Sequence, residues 1–309
     1  MASGISPAIK WTGSKRSVAP IIAGIFPAAS RYIEPFVGGG ALLPYRPARE
    51  AVAGDVIPEL IELWKLIQKD SDKVADSYEH RWARLQREGH MAFYSIRSRF
   101  NRVRNPVDLF FLTRTCVNGL IRFNDKKEFN NSLHHTRKGI SPQRLRRVLK
   151  VWAHAITKVT FVTADYRETL ASAGRGDVIF LDPPYLGSRG RYLRCQLEFG
   201  PFCAESKRLN NVGAKWILTF DGEAGSRKYE GRLPKGLYTT VLKIKTGQSP
   251  FTRVMDNKLE QVVESVYLNF NPTRESLRKV AQHNANPGSR WIGEDVEQNI
   301  FSACSEFNS

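Results

Sequence analysis

The sequence is poor in cysteine. Four residues of 309, Cys116, Cys195, Cys203 and Cys304, are cysteines, and no two of them form a C-x-x-C pair. That spacing excludes a zinc ribbon and a small disulfide scaffold, and it predicts a reducing, cytoplasmic setting. No apolar run approaches the roughly 20 residues of a membrane span, so no membrane partner is expected. The start, Met1 to Trp11, lacks the apolar core of a secretory signal. Internal repeats and low-complexity tracts are absent. The adjacent His134 and His135 point apart and lack i,i+4 spacing, so no metal is expected. Acidic residues are in deficit, 30 against 47 Lys and Arg, which leaves a net charge of +17. An excess of that size favours a polyanion, because basic groups displace counterions condensed on phosphates.

What is present suffices for a large core. Hydrophobic residues make up 41% of the chain, and its length accommodates a core domain with an insertion. Tyr32 to Val37 reads as a strand running into Gly38-Gly39-Gly40. Ala51-Val52-Ala53 is a second, ending at Gly54-Asp55, and the spacing of Leu60, Ile61, Leu63, Trp64 and Ile67 predicts a helix. From about Ser71 to Lys150 strand signals fade. Helical spacing and basic residues take over: Arg97, Arg99, Arg102, Arg104, Arg114, Arg137, Lys138, Arg144, Arg146 and Arg147. Asn118, Asn124, Asn130 and Asn131 lie there with Phe123 and Phe129, a mixture suited to base edges. The segment reads as a helical insertion with a basic face. Strands return at Val159–Thr163, Asp177–Leu181 and Lys215–Phe220, followed by β-rich stretches Leu237–Ile244 and Val262–Phe270. Strands alternating with helices predict an α/β parallel sheet. The expected division is 1–70 with 151–270 as the catalytic domain, 71–150 as the insertion, and 271–309 as a polar, poorly packed extension.

Two motifs carry chemistry. The glycine run after a strand lets backbone approach a ligand closely. Asp55, ending the next strand, can accept both hydroxyls of a ribose. The pattern is not G-x-G-x-x-G, so a nucleoside cofactor without phosphates is favoured over a dinucleotide. The second motif, Asp182-Pro183-Pro184-Tyr185, ends a strand. Consecutive prolines cannot continue a sheet ladder and fix an extended turn. That turn holds a carboxylate, an unpaired carbonyl and an aromatic face together. Asp182 and the Pro183 carbonyl can accept the two N–H bonds of a conjugated amine and localise its lone pair, while Tyr185 stacks on the base. Such a step is a direct displacement that depends on positioning and electrostatics. An amine inside a duplex is out of reach, so the base must be flipped out. Asp221 reads equally as a cap or a substrate-side residue. Tyr192 and Phe199 frame a base or pack. Arg253 contacts a phosphate or is a solvated charge.

Lys10-Trp11-Thr12-Gly13-Ser14-Lys15, Glu34 to Leu42 and Asp182 to Tyr185, in that order, resemble the Dam-type (class alpha) DNA N6-adenine methyltransferases. Asn118 to Asn124 with Glu128-Phe129-Asn130 resembles the family's recognition hairpin. The similarity runs over roughly residues 8–270. It implies a Rossmann-like, seven-stranded S-adenosyl-L-methionine-dependent methyltransferase sheet with an inserted helical DNA-recognition domain. It also implies site-specific methylation of adenine N6 in double-stranded DNA. Related activities on cytosine N4 or RNA, and a catalytically idle DNA-binding protein, are the alternatives. By position, Trp11, Lys15, Phe36, Gly38, Asp55, Asp165 and Asp182 match cofactor contacts. Asp182, Pro183 and Tyr185 match the catalytic group. Lys10, Arg114, Asn118, Arg122, Asn124, Asn130 and Arg137 are the expected DNA contacts. A monomer or weak dimer in a bacterial or phage-infected cytoplasm, with a cognate restriction endonuclease acting separately, completes the expectation. Val117 stands where GATC-reading members commonly carry an aromatic. Asn131 to His135 replaces an expected proline, and Lys245 to Arg253 is closer to a subgroup attached to restriction systems.

Overall fold

The structure is a computed structural model and describes residues 5–136, 138–184, 197–224, 227–228, 233–248 and 261–285. Tyr185, Tyr192, Arg253 and Arg137 lie outside these residues, as does the side chain of Asn118. Helix α1 (Ala19–Ala23) precedes strands β1 (Arg31–Glu34) and β2 (Ala51–Asp55). Helices α2 (Pro58–Lys69), α3 (Ser71–Glu88), α4 (His90–Val103) and α5 (Pro106–Thr115) follow, and a hairpin-like excursion leads to α6 (Pro142–Ala155). The chain then alternates through β3 (Val159–Thr163), α7 (Tyr166–Leu170), β4 (Asp177–Leu181), α8 (Phe199–Asn211) and β5 (Lys215–Ala224). The short β6 (Arg227–Lys228), β7 (Thr240–Gln248), β8 (Gln261–Leu268) and helix α9 (Arg274–Ala285) complete it.

Seven strands run in the order β3-β2-β1-β4-β5-β8-β7, and β6 pairs with β5 alone. The first five are parallel, while β8 is antiparallel to both its neighbours. The α/β class and the parallel strands are as the sequence predicts; the antiparallel β8, which makes the sheet mixed, is not. Parallel strands are buried on both faces, so they read as continuous apolar runs. Strand β4 is buried at all five positions. Its alternate residues serve two cores: Val178 and Phe180 pack with Leu60 and Trp64 of α2, and Ile179 and Leu181 pack with Leu170 of α7 and Phe202 of α8. The strand order reverses between β1 and β4, which places a crevice outside their carboxyl ends.

The insertion shares the first of these cores. Trp64 stacks on Phe161 at 5.7 Å and meets Trp152 of α6 at 5.2 Å. The same cluster continues through Tyr78, Phe93, Phe100, Phe110, Phe111 and Phe129. Local chemistry sets the helix ends. Asp70 accepts the Lys73 amide at 2.9 Å ahead of α3. Asn105 accepts that of Val107 at 2.9 Å, with Pro106 opening α5.

Three expectations need correction. Strand β5 continues to Ala224, so Asp221 lies within it rather than at its end; pairing with β8 carries it past the last apolar residue. The extension is packed over 274–285: Ser276 and Val280 of α9 are buried, and Ser276 Oγ donates to the Gly24 carbonyl at 2.7 Å. Part of the insertion's basic face is engaged by the protein itself. Arg99 bonds to Asp108, and Arg146 pairs with Asp72, Asp76 and Glu79. Arg104 donates to the Lys127 carbonyl. Most of these partners are distant in sequence, which is why a composition count reads the arginines as unpaired.

Candidate active site

The carboxyl ends of β1, β2 and β4 open on a cavity of about 310 Å³. Its floor is the glycine turn. Gly38 has φ +45°, and a Cβ there would stand 2.8 Å from Trp11 Cδ1, so only glycine lets the indole lie against the turn. Trp64 Nε1 donates to the Gly38 carbonyl at 3.0 Å and fixes the turn from below. Phe36 stacks on Tyr166 at 5.5 Å along one wall.

Asp55 is 9% exposed. Its Oδ2 accepts the Gly38 amide and its Oδ1 the Ile57 amide, each at 3.1 Å. Burial pushes its carboxyl up to about 6, against the pull of those amides. The folded state therefore holds this proton at a pH where the unfolded chain has released it. The Asp55 contribution to stability is complete below the unfolded value near 4 and is lost as pH rises through about 6. Urea midpoints of the wild type relative to Asp55→Asn are expected to fall between pH 4 and pH 7. The change is on the order of 2–3 kcal/mol, taken from a pKa difference of this size. A difference that is flat or rising with pH would contradict the assignment.

Asp165 caps α7, accepting the Arg167 amide at 3.0 Å and its Nε at 2.8 Å. Asp182 stands just beyond β4. Its Oδ1 receives Lys15 Nζ at 2.8 Å and Thr219 Oγ1 at 2.6 Å. Lys15 is 5% exposed, donates also to the Gly13 carbonyl at 3.2 Å, and lies 4.0 Å from Glu264 of β8. Trp11, Lys15, Phe36, Gly38, Asp55, Asp165, Asp182 and Pro183 thus line one cavity, although they span 173 positions from first to last (183 less 11, inclusive).

Sequence reasoning omitted several neighbours. Glu34, also lining the cavity, is 2% exposed and accepts the Tyr32 hydroxyl at 3.0 Å. Burial holds it well above the usual carboxylate range, partly offset by that hydrogen bond and reinforced by the charge of Asp182. Its signal was available, an acidic residue at a strand tip, the same one that marked Asp55. Thr219 and Glu264 left no such trace, because only strand pairing brings them here.

The segment expected to read DNA abuts the cavity. Thr12 Oγ1 accepts the Ile121 amide at 3.2 Å and donates to the Gly119 carbonyl at 3.4 Å, and Ile121 lines the cavity itself. Gly119 has φ +63°, and a Cβ there would meet Lys10 Cε at 2.5 Å, so the Lys10 stem lies across the turn Val117–Gly119 that holds Asn118. Arg122 is exposed on the hairpin. The Asn130 backbone amide donates to the Arg122 carbonyl at 3.0 Å, while its buried Oδ1 has no hydrogen-bond partner among the described residues. Two expected DNA contacts are turned to structural use. Arg114 is half-buried, its guanidinium donating to the Pro7 and Ala8 carbonyls, and desolvation of that group pulls its pKa down to about 10. It anchors the amino-terminal arm. Asn124 uses both ends of its amide on Glu128, each at 2.9 Å, and closes the hairpin turn. Asn131, in place of the expected proline, donates to the Val117 and Leu120 carbonyls at 2.9 and 2.8 Å. Phe199 stacks on Phe220 at 6.1 Å, which favours packing. Among the described residues no group of His, Cys, Asp and Glu is arranged to hold a metal, and no helix is long and apolar enough to cross a membrane.

A model of the D12 class of N6 adenine-specific DNA methyltransferases matches residues 11–194. The chain belongs to that family. Membership implies a methyl donor. The D12 match covers the Trp11 arm, the glycine turn, the insertion and Asp182; β5 and β8, which carry Thr219 and Glu264, lie beyond it. The DNA N-6-adenine-methyltransferase of Escherichia phage P1 is 33% identical over 183 residues, 57% of this chain and 23% of that protein. The retron Ec67 DNA adenine methylase of Escherichia coli is 29% identical over 194 residues, 61% of this chain and 66% of the relative. The DNA adenine methylase of Serratia marcescens is 30% identical over 181 residues, 57% and 66% respectively. The matched part of the chain spans about a quarter of the phage protein and just under two thirds of the other two.

Proposed function

We propose that the chain is a site-specific DNA adenine methyltransferase that moves the methyl group of S-adenosyl-L-methionine to N6 of an adenine flipped out of a duplex. The carrying observation is Asp182 at the tip of β4, with Oδ1 fixed by two donors and its other oxygen left without a bond to any described residue. The cavity fits the donor. Its titratable lining is mostly acidic, Glu34, Asp55, Asp165 and Asp182 beside Lys15, with Glu34 biased by burial toward its neutral form. Such a lining accepts hydroxyl and amine protons and a positive sulfonium, and it repels phosphates. Asp55 would hold the ribose hydroxyls, Asp165 the adenine amine of the donor, and Trp11, Phe36 and Gly38 its flat surfaces. When bound, the donor supplies an electrophilic methyl on a positively charged sulfur.

The chain supplies the rest. Asp182 Oδ2 and the Pro183 carbonyl accept the two N–H bonds of the target amine and turn its lone pair outward. Tyr185 stacks on the extruded base. Lys15 and Thr219 keep Asp182 from rotating. Lys10, Asn118, Arg122 and Asn130 would carry contact to the duplex, with Arg137 and the inserted helices of 71–150 as the recognition part. The setting is a bacterial or phage-infected cytoplasm, with a restriction endonuclease as a separately acting companion.

Incubation with mixed-sequence duplex DNA and labelled donor, read as modified nucleosides by mass, is expected to yield N6-methyladenine. N4-methylcytosine, label in RNA alone, or a donor-bound protein that labels nothing would each overturn this reading. Duplex affinity is expected to fall about a thousandfold between 50 and 200 mM salt, as for a protein with several phosphate contacts. A flat salt response would remove the phosphate contribution.

A further inference from the structure

Resting on the function just proposed, we propose that Thr219 is the positioning residue that sets the plane of the Asp182 carboxylate and so aims its free oxygen at the target amine. The parallel register of β4 and β5 pairs Leu181 with Leu218. The next pair in that register is Asp182 and Thr219, side by side at the cavity edge. Thr219 is fully buried, and its hydroxyl donates to Asp182 Oδ1 at 2.6 Å. Its pairing with Val266 is the last before the β5–β8 register shifts between Thr219 and Gly222. Irregular pairing of that kind re-aims side chains at a strand's end.

Two donors therefore converge on Oδ1. Lys15 is the less directional of the two: its ammonium is a point charge with rotatable donors, and it is shared with the Gly13 carbonyl at 3.2 Å. The terminal torsion of aspartate is broad, so without a directional partner the carboxylate plane turns at little cost. A hydroxyl on a β-branched side chain within a strand is stiff. Thr219 supplies the fixed reference and leaves the lone pairs of Oδ2 to the substrate.

Thr219→Val keeps the branched shape and removes the donor; Thr219→Ser keeps the donor. With Thr219→Val, kcat is expected to fall on the order of tenfold or more, the scale of one hydrogen bond to a charged group. Dissociation constants for donor and duplex should stay within about twofold, because Thr219 contacts neither. Thr219→Ser should recover most of the rate, and Thr219→Ala should reproduce the loss if the valine variant folds poorly. Wild-type kcat in both hydroxyl-free variants, a serine variant as slow as valine, or a loss confined to binding would overturn the proposal. If the wild type methylates no adenine, the proposed activity fails, and crystal structures still decide this point. A rotated or split Asp182 carboxylate in Thr219→Val supports it, and an unchanged one overturns it.

Discussion

Asp182→Asn is expected to bind duplex DNA as the wild type does and to transfer methyl about a thousandfold more slowly, the scale of losing one well-placed electrostatic partner in a water-poor site. The direction follows from the donors around the carboxylate. Lys15 and Thr219 both present protons to Oδ1, so the amide of the variant must keep its oxygen there. Its NH₂ then occupies the position of Oδ2 and confronts the target amine donor to donor. A lone pair on the amine that had been drawn out by an acceptor stays conjugated with the base. Single-turnover transfer on saturating DNA and donor measures the effect; a loss smaller than about tenfold would mean that another carboxylate does this work. Asp182→Ala should keep DNA binding, lose transfer equally, and cost stability as well. It leaves the buried Lys15 ammonium with the Gly13 carbonyl and a carboxylate 4.0 Å away. Removing one partner of a buried pair predicts a loss of about 2 kcal/mol, at the mild end because Glu264 remains near.

Asp108→Ala should have the largest effect on stability, about 3 kcal/mol in urea titration, without touching the cavity. Asp108 is fully buried in α5. It accepts Arg81 Nε at 2.7 Å, Arg99 Nε at 2.8 Å and Arg99 Nη2 at 2.5 Å. It thereby ties α3, α4 and α5 to one carboxylate. Its loss leaves two guanidiniums facing each other over apolar packing; Arg99 is 42% exposed and can swing to water, but Arg81 is 16% exposed and cannot do so freely. Replacing all three residues with apolar side chains of similar size should recover much of the stability, since a well-packed core can equal a buried ion network. DNA affinity should fall with Asp108→Ala, because α4 holds the recognition hairpin: Asn101 bonds both the amide and the carbonyl of Phe129, and Arg97 donates to the Asn131 carbonyl. A midpoint shift worth less than about 1 kcal/mol would show that the network is solvent-compensated.

The cavity was legible in the sequence for a local reason. Asp55, Asp165 and Asp182 each follow a run of strand-forming residues, and the carboxyl ends of parallel strands converge on one crevice. Strand β5 shows the limit of that signal. Asp221 has the same local appearance, yet β5 runs on through it because β8 is available to pair, and pairing is not a local property. The arginines of the insertion show a second limit. Arg114 and Arg99 look alike in composition, but one supports the amino-terminal arm through backbone carbonyls and the other neutralises a buried aspartate.

By itself, then, the sequence determined the class of fold, the family and most of the charged residues lining the cavity, Glu34 excepted, since periodicity, turn chemistry and motif order are all written along the chain. Only the tertiary structure decided which basic residues are structural, how the Thr12 bridge joins the recognition hairpin to the cavity, and that Thr219 stands against Asp182. Those contacts join residues 37 to 109 positions apart. Strand register and packing bring them together, and neither leaves a mark in the composition or spacing of the residues themselves.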